Sequence, residues 1–282
     1  MPALLERSDR PPITIRHPLP GVSIGSISGN GPLVRAVPER YATALHLAGR
    51  SAWTSGRSRW SVAPGAISVK VPGQVYTETA RDGGTAFQIV LFDAALVDDA
   101  RAALDRPNAE PHYHSIEGEH PRARPLAELH RLLLGDDYSL PELEQSVCAA
   151  LSAFVDIACD PRGSTFSPSA WSTSVGRARA LLDERITETV TLDELAAHAK
   201  LDKFHLCRAF RDEVGLPPHA YVTHRRVSFA QALLSRGVPQ AEVAARVGLY
   251  DQSQLHRHFK RIVGMTPGAF ARATLPAERM RG

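Results

Sequence analysis

Two stretches decide the fold of this chain: LCRAFRDEVGLPPHAY at residues 206–221 and LHRHFKRIVGMTPGAF at residues 255–270. They share Leu, Arg, Phe, a basic residue, Val-Gly, Pro, Ala and an aromatic residue at matching positions, about 49 residues apart. Upstream, Leu195-Ala-Ala and Val243-Ala-Ala also correspond, with one extra residue in the second turn. Apolar residues at spacings of three and four before a Gly predict a helix that ends there. The C-terminal part therefore repeats a unit of helix, tight turn and helix.

Such a unit is a helix-turn-helix, in which a small Ala lets the two helices cross closely while Leu and Phe of the second helix face inward. The outward face of the second helix can then meet base edges, and a helix of this diameter fits the major groove. Residues 218–234 predict one connecting helix between the units. If the two recognition helices enter successive major grooves, they lie about 34 Å apart.

The predicted outward faces carry residue types that recognise DNA. Arg can chelate guanine and Gln adenine, whereas Phe or Cys offers only apolar contact, for example to a thymine methyl group. We expect Arg208 and Arg257 to contact bases or phosphates, and Lys203, Arg211 and Lys260 to contact phosphates. The full set of candidate DNA contacts is Lys203, Phe204, Cys207, Arg208 and Arg211 in the first unit, and Gln252, Ser253, Gln254, His256, Arg257 and Lys260 in the second.

Charge and composition agree with this interpretation. Residues 1–169 carry 16 Lys and Arg against 19 Asp and Glu, whereas residues 170–282 carry 17 against 11, so the C-terminal part is the basic one. The chain has 282 residues, which suits two domains, and no apolar run is long enough to span a membrane. The N-terminus has charges where a signal peptide needs its apolar run, which predicts a cytoplasmic protein. The three cysteines are widely spaced, which excludes a disulfide scaffold, and we expect Cys148 and Cys159 to be buried.

The N-terminal part has a different pattern. Between residues 41 and 92, apolar residues alternate in short runs punctuated by Pro and Gly, including Asp82-Gly83-Gly84, which predicts short strands joined by turns in a small β barrel or sandwich. Residues 125–158 predict two helices, with Pro141 in the first turn of the second. The Pro- and Ser-rich residues 161–173 are the predicted linker. A helix over about 174–186 and a capping box at Thr191-x-x-Glu194 follow.

Residues 174–273 resemble the DNA-binding domain of the AraC/XylS family of bacterial transcription regulators. The match is most specific in VGLYDQSQLHRHFK at residues 247–260, followed by GMTP at 264–267. The family has Gly at one position of the first turn, and this chain has Lys200 there. The backbone at that position favours a positive φ angle. Residues 41–92, with Trp60, Pro64-Gly65 and Pro72-Gly73, are similar to the cupin-like sensor domains of many members.

The resemblance implies an α+β chain of two domains. Residues 1–160 form a cupin-like β barrel with a helical dimerisation hairpin, and residues 174–282 form an all-α double helix-turn-helix. It further implies a homodimer that binds double-stranded DNA and activates transcription through RNA polymerase, with no cofactor and no enzymatic activity. Aromatic walls with few polar groups are typical of effector pockets, so Tyr41, His46, Trp53, Trp60 and Tyr76 are candidates for a small-molecule pocket, with ordinary barrel core or surface as the alternative at each position. Two alternatives remain: a constitutive DNA binder whose N-terminal domain only dimerises, and a cupin-like enzyme with a DNA-binding appendage.

Overall fold

The structure, a computed structural model, describes residues 13–29, 33–56, 58–107, 114–135, 137–160 and 172–274. A strand-rich part precedes an all-helical part, as the sequence predicts. The strands are β1 (Ile13–Leu19), β2 (Val22–Gly29), β3 (Arg35–Ala36), β4 (Tyr41–Ser55), β5 (Ser58–Val62), β6 (Ala66–Lys70), β7 (Tyr76–Phe92) and β8 (His114–Glu117). The helices are α1 (Ala94–Ala103), α2 (Arg124–Gly135), α3 (Leu140–Ala158), α4 (Thr173–Glu184), α5 (Leu192–Ala199), α6 (Lys203–Val214), α7 (Pro218–Ser235), α8 (Gln240–Arg246), α9 (Gln252–Val263) and α10 (Pro267–Thr274).

One antiparallel sheet contains all eight described strands, in the order β1-β2-β7-β4-β6-β8, with β3 paired to β7 and β5 to β4. The expectation of short strands is wrong for β4 and β7, which continue through 15 and 17 residues. Asp82-Gly83-Gly84 is not a turn that separates strands, because it lies inside β7. The register between β4 and β7 shifts near Ala48 and Ala52, and Gly49 and Gly83 have positive φ. Glycine thus lets the two long strands bulge and bend without ending.

Helices α1, α2 and α3 cover one face of the sheet. Their apolar stripes pack on β-strand residues such as Ile67, Val69 and Phe92 in one buried cluster. Ser139 caps α3 in a reciprocal capping box with Glu142. The expectation that Cys148 is buried is wrong: it is exposed, on the side of α3 that faces away from the sheet, and Cys159 is partly exposed.

The C-terminal helices form two repeated units, each with its own core. Leu206, Phe210 and Tyr221 lie in the first core, and Leu255, Phe259 and Phe270 occupy the matching places in the second. The edge contacts of the aromatic pairs also match, with ring centroids 5.7 Å apart for Phe210–Tyr221 and 5.4 Å for Phe259–Phe270. The repeat seen in the sequence is therefore a repeat of packing.

Two local expectations have different outcomes. Thr191 caps α5 by accepting a hydrogen bond from the Glu194 backbone amide, but the Glu194 carboxylate pairs with Arg185, so the capping box is not reciprocal. Lys200 does adopt the left-handed conformation, at φ 56° and ψ 43°. Of the predicted linker, residues 161–171 lie outside the described residues, and α4 begins at Thr173.

Candidate nucleic-acid interface and effector site

Helix α6 presents the first candidate interface. Asp202 caps the helix, accepting hydrogen bonds from the backbone amides of Phe204 (3.0 Å) and His205 (2.9 Å), which lower the pKa of its carboxyl. Leu206, Phe210 and Val214 are buried on the inner face. The opposite face is left free, as the spacing of the apolar residues predicts.

The structure places the first set of candidates on that outward face. Lys203, Phe204, Arg208 and Arg211 are exposed, and Cys207 is partly exposed. Phe204 is 77% exposed, unusual for a large apolar side chain in a folded domain, so its position favours contact with a partner surface. Lys203 forms an ion pair with Asp193 of α5, with 3.1 Å between the ammonium nitrogen and the carboxylate oxygen.

Helix α9 presents the second interface. Gln252, Ser253, His256, Arg257 and Lys260 are exposed. Gln254 is partly exposed and differs from its neighbours because its side-chain oxygen accepts a hydrogen bond from the Tyr250 backbone amide (2.8 Å). The side-chain oxygen of Gln254 thus stabilises the turn before α9, and the rest of its amide group is left for DNA.

Tyr250 is not among the sequence-derived candidates, yet it is 93% exposed at the entrance to α9. It is the extra residue of the second turn, so the comparison of the two repeats gave it no counterpart. An aromatic ring beside the candidate base contacts can pack on a sugar or a thymine methyl group. A surface groove of about 330 Å³ also adjoins α9, lined by Gln240, Gln252, Ser253, Leu255, His256 and Pro267.

Three of the five candidate effector residues come together in the sheet domain. Trp53, Trp60 and Tyr76 are buried in one cluster, with the Trp60 and Tyr76 rings 6.4 Å apart. His46 lies nearby, with its ring 5.9 Å from that of Phe87, and burial lowers its pKa to about 4. Tyr41 is on the other face of the sheet, against Phe154 of α3 (5.7 Å), and is separate from this cluster.

Lys70 is likewise not among the sequence-derived candidates, although its ammonium lies over the rings of Trp53, Tyr76 and Phe87. A lone lysine at the end of a strand is usually solvent-exposed, so nothing in the sequence singles it out.

Two loops of the sheet domain hold the connecting helix α7. From the loop before β4, the Val37 carbonyl accepts from Ser228 (2.7 Å), and Arg225 donates to the Pro38 carbonyl (3.2 Å) and pairs with Glu39 (3.3 Å). Burial raises the pKa of Glu39 to about 7, while Arg225 opposes that rise. The sheet domain therefore contacts α7 directly, and α7 is the helix that sets the spacing of the two recognition helices.

The loop between β6 and β7 makes the second contact. The Tyr221 hydroxyl of α7 donates to Asp183 of α4 (2.8 Å) and lies 3.3 Å from the Gly73 carbonyl oxygen, and Arg179 of α4 donates to the Pro72 carbonyl (3.4 Å). Tyr76, the first residue of β7, holds this loop through its hydroxyl, which accepts a hydrogen bond from the Val71 backbone amide (2.9 Å). One wall residue of the aromatic cluster thus also shapes the loop that contacts the helical domain.

Comparison with known proteins agrees with the repeat. A family model described as a helix-turn-helix domain matches residues 195–273. Among curated relatives, the regulator MtrA of Neisseria gonorrhoeae is 36% identical over 81 residues (28% of this chain and 27% of MtrA), and a putative AraC-like transcription regulator of Streptomyces antibioticus is 32% identical over 103 residues (36% and 34%). The chain carries an AraC-type helix-turn-helix domain. Because the matches to the first two relatives cover only 27% of each relative's length, they concern the AraC-type domain and not the rest of those proteins.

The likeness to a solved structure extends over both domains. ToxT from Vibrio cholerae superposes with a TM-score of 0.60 at 10% identity, covering 91% of this chain and 99% of ToxT. At that identity the likeness shows the fold, with a sheet domain preceding the AraC-type domain. Within the described ranges, no helix is long and apolar enough to cross a membrane, and no group of three or more His, Cys, Asp or Glu could hold a metal ion.

Proposed function

We propose that the whole chain is a sequence-specific transcriptional regulator, in which the helical domain binds operator DNA and the sheet domain binds a small-molecule effector. The carrying observation is the pair of matched recognition helices, each with an exposed Arg at the same repeat position, joined by one stiff helix. Because each unit is packed around a buried core, the two units can present these arginines at a fixed spacing.

The hydrogen bonds and the ion pair between the sheet domain and α7 support a mechanism by which the sheet domain controls DNA binding. An effector that prefers one arrangement of the loops around Val37 and Gly73 shifts the position of the helical domain, because only differential affinity for two arrangements can move that equilibrium. We further propose a homodimer formed through the hairpin of α2 and α3, and activation through RNA polymerase. Both proposals, like the absence of enzymatic activity, rest on resemblance to the family.

A footprint of the full-length protein on DNA upstream of its own and neighbouring genes, over a salt series, tests DNA recognition. We expect two protected major-groove segments about one helical turn apart per protomer, with affinity for that site at least about 10³-fold above that for random DNA. Binding that falls steeply with salt without a preferred site would reduce the interaction to phosphate attraction and contradict the proposal. Arg59→Ala in β5, an exposed arginine outside both the helical domain and the α2–α3 hairpin, is a matched control that should leave the footprint unchanged.

A further inference from the structure

The two most exposed large apolar side chains among the described residues lie at the starts of the two recognition helices. Phe204, the second residue of α6, is 77% exposed, and Tyr250, two residues before α9, is 93% exposed. The other described residues of this class are leucines, each 58% exposed or less. Both aromatic rings thus stand where the proposed DNA surface begins, and only Phe204 has a counterpart position in the other repeat.

The backbone at Tyr250 is held by two hydrogen bonds that cross at the start of α9. The Tyr250 amide donates to the side-chain oxygen of Gln254 (2.8 Å), and the Asp251 carboxylate accepts from the Gln254 amide (2.6 Å). Within the described part of the chain, the ring and hydroxyl of Tyr250 have no partner. Because a side chain on a fixed backbone loses less conformational freedom on binding, Tyr250 is preorganised to meet a ligand.

The place of Tyr250 in the repeat favours the DNA backbone over the bases. In the first unit, Leu201 is followed directly by the N-cap Asp202, whereas Tyr250 is inserted between Leu249 and the N-cap Asp251. In a helix-turn-helix, the first residues of the second helix reach the base edges in the major groove. A residue two positions before that helix lies at the rim of the groove, where the sugars and phosphates are.

The second unit also lacks a cation at the start of its recognition helix. Lys203 is the first residue of α6, whereas the first residue of α9 is the neutral Gln252, and residues 247–256 include no Lys or Arg. The Asp251 carboxylate caps α9, which disfavours a phosphate on the helix end itself. A phosphate beside this unit therefore needs a donor on a longer side chain, and the Tyr250 hydroxyl is one.

We propose that Tyr250 is a backbone contact of the second half-site: its hydroxyl donates a hydrogen bond to a DNA phosphate at the rim of the major groove, and its ring packs on the adjoining deoxyribose. This inference rests on DNA binding by the helical domain. The first unit then holds the DNA backbone with the ammonium of Lys203, and the second with a neutral hydroxyl. Because a neutral donor does not neutralise a phosphate, the two contacts differ in their dependence on salt.

The test titrates the full-length protein with its footprinted operator over a salt series. Tyr250→Phe should lower the affinity about tenfold, as the loss of a hydrogen bond to a charged group predicts, and Tyr250→Ala should lower it further because the ring packing is also lost. Both losses should be the same at every salt concentration. At 93% exposure the side chain packs on no protein core, so the melting temperatures of both variants should equal that of the wild type.

Two matched variants bracket the result. Lys203→Ala should reduce the slope of log affinity against log salt by about one, so its effect should shrink as the salt concentration rises. Leu47→Ala truncates an exposed apolar side chain on β4 and should bind DNA as the wild type does.

Neutral methylphosphonates, placed one at a time along the operator, locate the phosphate. At one position beside the second half-site, the replacement should weaken binding by the wild type but hardly change binding by Tyr250→Phe, since both changes remove the same hydrogen bond. Single-base changes in the operator should leave the loss in Tyr250→Phe unaltered, because a backbone contact reads no base.

Three outcomes overturn the proposal: Tyr250→Phe binds as the wild type does, its loss depends on one particular base, or no methylphosphonate position couples to it. Unchanged DNA affinity of Tyr250→Ala with lost transcription in a purified RNA polymerase assay would also overturn it and assign the ring to the polymerase. If the wild-type footprint is specific and both Tyr250 variants reproduce it, this contact is wrong and DNA recognition stands. A wild-type protein without a specific footprint overturns both.

Discussion

Arg208 and Arg257 occupy the same place in the two repeats, exposed on the outward faces of α6 and α9. Both helices begin with an Asp N-cap, Asp202 or Asp251, and carry the arginine six residues later. Solvation alone would not favour Arg at the same position of both repeats. Arg can form two hydrogen bonds to guanine, so each residue is suited to define one base of its half-site.

Replacing either arginine should therefore weaken DNA binding in a sequence-dependent way. Arg208→Ala and Arg257→Ala should each cost about 1–3 kcal/mol of binding free energy and relax specificity at one position of the corresponding half-site. Titrations against a set of single-base operator variants measure both effects. Equal losses for every sequence, with a reduced salt slope, would instead identify both residues as phosphate contacts.

The turns of the two helix-turn-helix units solve the same geometric problem with different residues. Lys200 ends α5 with φ 56°, and Gly248, its counterpart after α8, has φ 74°. A side chain at positive φ costs free energy that Gly avoids. At Gly248 a Cβ atom would also lie 2.1 Å from the Thr187 carbonyl oxygen, so only the second turn excludes a side chain by contact.

The turn at Lys200 should therefore gain stability from glycine. Lys200→Gly should raise the free energy of unfolding by about 1 kcal/mol, because the left-handed backbone is then unstrained. Urea denaturation measures the change. Lys200→Ala is the control, since it keeps the Cβ atom and should give no gain; an equal gain from Ala would contradict the backbone explanation.

The converse change tests the second turn. Gly248→Ala should lower the free energy of unfolding by at least about 2 kcal/mol, since it adds an overlap with Thr187 to the backbone cost. Gly264→Ala is the matched control: its φ is 86°, yet nothing lies within 4 Å of the added Cβ atom, so it should cost only the backbone part. Equal losses in urea denaturation would rule out the overlap as the cause.

At the scale of the whole molecule, the sheet domain completes the core of the first helix-turn-helix unit. Val37 and Val75 are 0% and 2% exposed in one cluster with Phe210 and Tyr221. Among the described residues of the sheet domain, the partly buried Ile15 is the one that packs on the hydrophobic core of the second unit. The first unit is thus coupled more closely to events in the sheet domain than the second.

Truncating Val75 should therefore affect the two units unequally. Val75→Ala should cost about 1–3 kcal/mol and speed amide hydrogen exchange in α4 to α6, with little change in α8 and α9. Val62→Ala removes the same atoms from the aromatic cluster of the sheet domain, so it should leave exchange in α4 to α6 unchanged. Uniform acceleration through both units would show that they unfold together and contradict the unequal coupling.

The sequence by itself determined the double helix-turn-helix, the helices of residues 125–158 and the outward faces of α6 and α9. These features depend on short-range periodicity and on a repeat, both of which are local to the chain. Only the tertiary structure decided that β4 and β7 run on through their glycines, that Tyr41 is apart from Trp53, Trp60 and Tyr76, and that Lys70 lies among aromatic rings. Those features depend on strand register and on residues distant along the chain, which hydrophobic alternation in one segment does not specify. The hydrogen bonds between the sheet domain and α7 also depend on tertiary structure, because the backbone carbonyl groups of the sheet domain that accept them have no signature in the sequence.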